Sequence, residues 1–289
     1  PHEVIDARDK FRAAVIEDFV SGYAAGTTPN PCIRCNERVK LHQLIELADA
    51  RGIQFVATGH YAQIEKTQDR SVLRKGADPR KDQSYFLYRM PAPWLNRVLF
   101  PVGGLNKAAV WELATDLELP ADEMRESQEI CFVSHGDYRT FLESQQPALK
   151  NPGLFVDEMG RPLGTHQGIA FYTPGQRKGL GIASGSRLYV QRVQPETNTV
   201  VLGPDESLLR SSCVVSDLNI LSSILREPSV AVEAKLRYAT AATPVTVTPA
   251  GDGVLNVAFQ TPQRAISPGQ SAVFYQGDIV LGGGIIQSV

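Results

Sequence analysis

GTTPNPCIRCNERVK, residues 26–40, sets two cysteines, Cys32 and Cys35, on a proline-stiffened loop just ahead of a helix. Pro29 and Pro31 fix φ and push Thr28 and Asn30 toward extended geometry, so a helix arriving from upstream cannot run through. Asn36 is placed to cap the helix that follows. A thiolate near a helix N-terminus, with Arg34 and Arg38 close in sequence, is favoured by the dipole and by positive charge. That predicts thiol pKa values below the ordinary value of about 8.5. The segment reads as an environment for sulfur chemistry.

Upstream, Phe11, Val15, Phe19, Val20 and Tyr23 recur at helical spacing over 9–25, and Gly26 supplies the stop. His2 to Asp6 reads as the end of a strand and its exit loop, so the chain is expected to be a fragment whose earlier strands lie upstream. Downstream, a helix over about 37–51 buries Val39, Leu41, Leu44, Leu47 and Ala48, and Gly52 ends it. IQFVAT, 53–58, is an apolar run of the kind that forms a buried parallel strand. Helix followed by strand is half of an α/β unit.

Gly59-His60-Tyr61 follows that strand directly. Ligands of open parallel sheets bind at the carboxyl ends of strands, so the glycine permits close backbone approach and the histidine is available to a substrate. The competing reading is a tight turn with a packed histidine. A hairpin of 62–66 with 71–74 leads to KGADPRKDQSY, which puts Lys75, Arg80, Lys81, Asp82 and Gln83 on one polar loop. Such a loop is either a solvated face or a place for phosphate and base-edge contacts. Asn106 is positioned to cap a helix over 107–117 that packs through Val110, Leu113 and Ala114. Asp137 opens another helix to about Ser144. Cys131 lies in a short apolar stretch and reads, taken alone, as a buried structural thiol.

Beyond residue 145 helical periodicity fades and glycines and prolines multiply. Gly153 to Val201 reads as short strands and turns, and YTPGQRKGLGI, 172–182, is basic and glycine-rich without the spacing of a nucleotide loop. From Ser212 onward, alternating runs at 230–238, 244–247, 254–259, 271–274 and 279–286 predict a small antiparallel barrel, with Cys213 a structural thiol at its mouth. The expected domains are therefore an incomplete α/β domain over 1–145, a small β-rich domain over 146–210 and a β-barrel over 211–289.

With 43% hydrophobic and 21% charged residues, a net charge of −2 and no apolar run of membrane-spanning length, the composition is that of a soluble protein. The charge excludes a strong whole-molecule field for nucleic acid, so any such binding must come from local basic patches. Four cysteines without an apolar leader point to a reducing, cytoplasmic compartment. C-x-x-C serves zinc binding, dithiol redox chemistry or iron-sulfur ligation. Zinc lacks a second ligand pair here, unless Cys131, His42 or His60 completes it. If Cys131 converges on the first loop, two options remain open: sulfur carried as a persulfide and released through a disulfide, or a cluster on three thiolates.

TPNPCIRCN (28–36), ATGHY (57–61), KDQSYFLY (81–88), FPVG (100–103), ESQEICFV (126–133), LGTHQGI with TPGQRKGLGI (163–182), and SPGQSAVFY followed by LGGGII resemble, in order and over nearly the whole chain, the bacterial tRNA-specific 2-thiouridylase family. The resemblance implies a pyrophosphate-loop (adenine nucleotide alpha hydrolase-like) α/β domain, a central tRNA-contacting domain and a C-terminal barrel. It implies an ATP- and Mg2+-dependent tRNA-uridine 2-sulfurtransferase that replaces the 2-oxygen of the wobble uridine, fed by persulfide sulfur-carrier proteins. Carried across by motif, Cys131 would hold the persulfide and Cys35 would resolve it, closing a Cys35–Cys131 disulfide. Asn30, Pro31 and Cys32 would border the target base. Gly59 would touch ATP, and His60, Lys81, Asp82, Gln83, Arg237, Tyr238 and Gln270 would contact tRNA.

Two departures stand beside this. The family's SGGVDSS-type pyrophosphate loop does not occur in this sequence, which keeps a noncatalytic tRNA-binding fragment or paralogue, or a zinc-binding structural module, as alternatives. Cys32 stands where some members carry aspartate, so an iron-sulfur cluster on Cys32, Cys35 and Cys131 competes with the persulfide route.

Overall fold

The computed structural model describes residues 2–68, 70–119, 130–133, 137–183, 185–251 and 253–289. Glu126 to Glu129 of the ESQEICFV motif lie outside the described residues; its Cys131 lies within them. No helix among the described residues is long and apolar enough to cross a membrane.

The first helix runs over 8–24 and buries Val15, Phe19, Val20 and Tyr23. Gly26, at φ +72°, ends it. A second helix, over 31–50, contains a wide π-helical turn at Asn36–Lys40. Its buried face is Ile33, Val39, Leu41, Ile45 and Ala48, with Leu44 and Leu47 only half-buried. The expected strand over 53–58 is shorter in the structure: β1 (Val56–Ala57) pairs in parallel with β4 (Val98–Leu99), and these two strands are the whole described sheet. The helix Lys107–Asp116 forms as predicted, with the Asn106 side chain accepting from the Ala109 N–H at 2.8 Å. Its expected apolar face is not buried, because no described layer covers it.

Between these elements β2 (Ala62–Lys66) and β3 (Ser71–Lys75) make the expected hairpin. A four-stranded sheet in the order β6-β5-β8-β7 spans Gly153–Val156 (β5), Pro162–His166 (β6), Tyr189–Gln194 (β7) and Thr199–Gly203 (β8). The last six strands are β9 (Leu209–Ile220), β10 (Val230–Lys235), β11 (Thr243–Pro249), β12 (Leu255–Arg264), β13 (Ser271–Gln276) and β14 (Ile279–Ser288). β13 pairs with both β10 and β14, so the six close into an antiparallel barrel, as the alternating sequence predicts. Alternate residues Val215, Val245, Val247, Val257 and Phe274 fill it, and Cys213 is buried with them.

The three parts share cores. Ile33, Tyr85 and Tyr88 of the α/β part pack with Val273, Tyr275 and Val280 of the barrel. Phe19, Val20 and Tyr23 pack with Phe155, Phe171 and Val190 of the central sheet and with Leu142 of the helix Tyr138–Gln145. LGGGII is explained by the first of these seams: a Cβ on Gly283 would stand 2.8 Å from the Tyr88 ring.

Candidate functional site

The TPNP loop is where the three parts meet. Thr28 donates its N–H to the Pro268 carbonyl (2.8 Å), accepts from Gln270 Nε2 on its carbonyl (2.7 Å), and bonds Thr173 of the central part through its hydroxyl (3.3 Å). Pro29 packs on Gly22, where an added Cβ would come within 2.8 Å of the ring. Gly269, at φ +89°, lets the barrel turn approach so closely that a side chain there would sit 2.7 Å from the Thr28 nitrogen.

Asn30, extended at φ −108°, ψ 100°, is the residue that caps the cysteine helix: its Oδ1 accepts from the Cys32 N–H at 3.2 Å, and Pro31 takes the first helical position. The cysteines therefore lie in the helix rather than on a loop before it, and Asn36 is an interior residue rather than a cap. Three residues apart, Cys32 and Cys35 share a helix face. Cys35 is buried against Val15, Val39 and Phe132, while Cys32 is exposed. Phe132 is locked by edge contacts to Phe11 and Phe19 (5.6 and 5.4 Å between ring centroids) and by Phe141 (5.1 Å). That anchor brings Cys131, its neighbour, to the thiol face, exposed and not buried as its apolar surroundings in sequence suggest. All four cysteines are free thiols.

The thiol pKa values reverse the sequence expectation. Although Cys32 is exposed as a residue, the atoms packed around its thiol strip hydration from it and push its pKa up, reinforced by Cys131 and opposed by Lys40. Burial also pushes Cys35 up; Lys40 works against it, while Cys131 and Cys32 add to the rise. The mutual repulsion shows the three sulfurs to be electrostatic neighbours. Arg34 does not lower them because its charge is spent elsewhere. It bonds Asp217 of the barrel (2.9 Å) and Glu37 (3.2 Å), with Asp18 at 3.6 Å. Arg89, buried, joins the same two carboxylates, Glu37 at 2.9 Å and Asp217 at 3.0 Å, and also donates to the Asp217 carbonyl. Asp217 bulges from β9 at φ +49° to reach them. Burial works against its ionisation, but the two arginines hold its carboxyl below the usual range.

His60 Nε2 meets Asn36 Oδ1 (3.2 Å) and Nδ1 meets Thr58 Oγ1 (2.8 Å). Since Asn36 Nδ2 donates to the Phe86 carbonyl (3.3 Å), its Oδ1 is the acceptor, so the imidazole proton sits on Nε2. Burial, helped by Lys40, lowers the His60 pKa to about 4, so the ring is neutral near pH 7. Gly59, beside it at the carboxyl end of β1, is exposed with open space where a Cβ would point.

GHY and KDQ are one unit: Tyr61 N–H donates to Gln83 Oε1 (2.9 Å) and Gln83 N–H to the Tyr61 carbonyl (2.8 Å). Asp82, expected on the polar loop, is buried and accepts from the Gly76 and Ser84 amides and the Ser84 hydroxyl. Lys81 stays half-buried on the loop. Arg237 donates to Ser267 Oγ (3.0 Å), and Tyr238 lies on Phe86, ring centroids 4.3 Å apart. Sequence reading missed the Arg34–Glu37–Arg89–Asp217 clasp and Phe86. Arg34's place between the cysteines was a signal; Asp217, far away in sequence, gave none. Among the described residues no three of His, Cys, Asp and Glu converge as a metal-holding group, so neither the cluster nor the zinc arrangement fits these side chains.

Comparison with known proteins gives three consecutive family matches: the tRNA methyl transferase HUP domain over residues 1–135, the tRNA methyl transferase PRC-barrel domain over 139–204 and the aminomethyltransferase beta-barrel domain over 210–286. The chain is 42% identical over its full length to 80% of the tRNA-specific 2-thiouridylase MnmA of Clostridium botulinum. It is 44% identical, over 99% of its length, to 79% of the protein of that name from Pelotomaculum thermopropionicum. It is 47% identical, again over 99%, to 75% of that from Heliobacterium modesticaldum.

Proposed function

The chain belongs to the tRNA-specific 2-thiouridylase family, and on that premise we propose that it transfers sulfur to C2 of a tRNA wobble uridine through Cys131 and Cys35. The observation that carries this reading is the pairing of an exposed Cys131 with a buried Cys35 across one helix face, fixed by Phe132. An exposed thiol can take sulfur from a persulfide carrier protein, and a buried one beside it can resolve the product.

In the proposed sequence Cys131 carries the persulfide. The Cys35 thiolate attacks Cys131 Sγ, the bond to the terminal sulfur breaks, and that sulfur leaves as hydrosulfide. Hydrosulfide attacks C2 of the uridine, the former 2-oxygen departs, and a Cys35–Cys131 disulfide remains for a dithiol to reduce. ATP with Mg2+, when bound, supplies the adenylation that makes the 2-oxygen a leaving group; the open backbone at Gly59 would be one of its contacts. Asn30, Pro31 and Cys32 border the base, since Asn30 fixes the helix start and the sulfur must be held within about 3–3.5 Å of C2. The uridine must be unstacked to reach them.

His60, Lys81, Asp82, Gln83, Arg237, Tyr238 and Gln270 serve the tRNA in two ways. Lys81, Arg237 and Tyr238 face it. His60, Asp82, Gln83 and Gln270 hold the loops that present those groups, through their hydrogen bonds to Asn36 and Thr58, to the Gly76 and Ser84 amides, to Tyr61 and to Thr28. Raised thiol pKa values keep Cys32 and Cys35 protonated until a reaction partner arrives.

The test is formation of 2-thiouridine, read by nucleoside mass spectrometry, in tRNA given the protein, ATP and a persulfide donor. Product that disappears in both Cys35→Ala and Cys131→Ala supports the assignment. Product retained in either variant removes that cysteine from the mechanism, and tRNA binding without product favours a noncatalytic binder.

A further inference from the structure

Lys235, at the end of β10, has its ammonium 5.1 Å from the centroid of the Tyr238 ring and 6.0 Å from that of Tyr85. No carboxylate is paired with it among the described residues. Burial lowers its pKa, the neighbouring Asp82 opposes that, and Lys75 adds to it. Lys75, at the end of β3, lies 4.7 Å over the Tyr275 ring with one ammonium proton on the Gly277 carbonyl (2.9 Å). Each lysine thus lies against a ring face, and the charge of Lys75 is felt at Lys235. Asp82, the carboxylate that acts on Lys235, is already taken by the Gly76 and Ser84 amides and the Ser84 hydroxyl. Beside them Tyr238, 37% exposed, and Phe86 form a tilted ring pair, 39° between planes. The Phe86 carbonyl is held by Asn36, the residue after Cys35, so this ring pair adjoins the thiol helix.

We propose that Lys75 and Lys235 form a phosphate-binding pair and that Phe86 and Tyr238 form a stacking step, together a track for the single-stranded RNA next to the target nucleotide. The proposal rests on the tRNA reading above and assigns Lys75, Lys235 and Phe86 to it. A phosphate between two half-desolvated ammoniums relieves their repulsion, and ring faces accept any base through its π-surface, giving adhesion without sequence preference. An unstacked target leaves its neighbours unstacked too, and these are the bases such a step receives.

The experiment measures binding of an anticodon stem-loop RNA against salt concentration for the unaltered chain, Lys235→Gln, Lys235→Met and Tyr238→Ala, with Tyr238→Phe as the ring-preserving control. Both lysine variants keep the stem that covers Tyr85 and lose the charge. Each is expected to flatten the plot of log affinity against log salt by about 0.7, the value for one single-strand phosphate contact. Tyr238→Ala is expected to weaken binding roughly 5- to 150-fold with the slope unchanged, and Tyr238→Phe to bind as the parent. Binding by the unaltered chain with an unchanged slope in both lysine variants overturns the track and leaves the tRNA reading standing. Absence of binding by the unaltered chain overturns both.

Discussion

The barrel and the α/β part are built on opposite economies. In the barrel every strand has two neighbours, and its alternating residues put Val245, Val257 and Phe274 out of water. In the α/β part the described parallel sheet has two short strands, and apolar side chains beside it stay open: Ile53 is 47% exposed, Leu99 43% and, on the helix 107–116, Leu113 47%. The barrel closes on itself, whereas the α/β part completes its packing by sharing cores with the barrel and the central sheet. The cysteine helix sits in the part that depends on its neighbours, and it is tied to them through Thr28 and Asp217.

The largest effect that could break this contrast is in the barrel. Phe274→Ala should destabilise by about 3–5 kcal/mol in denaturant unfolding, as a fully buried aromatic truncation does. Leu113→Ala should stay within roughly 0.5 kcal/mol. Comparable losses at the two positions would mean that the α/β part has a closed core of its own.

A second effect comes from His60, buried neutral. Its pKa is about 6.5 in the unfolded chain and about 4 folded, so the unfolded state binds more protons between those values. Stability should be full above pH ~6.5 and fall as pH drops toward 4, by at most about 3 kcal/mol. Urea midpoints measured across that range should lose part of this slope in His60→Gln.

Smaller in stability, and more telling for the site, is the clasp. Asp217→Ala leaves Arg34 and Arg89 short of an anion; with Asp217 partly in water the expected loss is about 1–2 kcal/mol. The cysteine helix should loosen, so Cys35 alkylation should speed up several-fold while Asp217→Glu restores protection. In the unaltered chain the alkylation rate should still be climbing above pH ~8.5, the ordinary thiol value, because burial raises Cys35. A plateau below that pH would return the thiol to the activated state that the helix N-terminus alone predicts.

Much of this was legible in the sequence because the signals were local. Period-two alternation gave the barrel, Asn106 and Asp137 cap the helices they precede, and the cysteine spacing marked the site. What failed depended on long-range contacts. Whether Arg34 could lower a thiol pKa was decided by Glu37 and by Asp217, 183 residues away. Asp82 looked solvated because two of its partners are backbone amides, which carry no letter in a sequence. The extended geometry that prolines impose was read correctly, but it ended at Asn30, one step before the cysteines, and the cap moved with it.

Cysteine mapping after mild oxidation tests the central claim most directly. The chain is treated with a dithiol oxidant, blocked, digested and examined by mass spectrometry for linked peptides. The account predicts a dominant Cys35–Cys131 link, with Cys213 still a thiol inside the barrel. A dominant Cys32–Cys35 link, or Cys131 recovered unlinked, would contradict it.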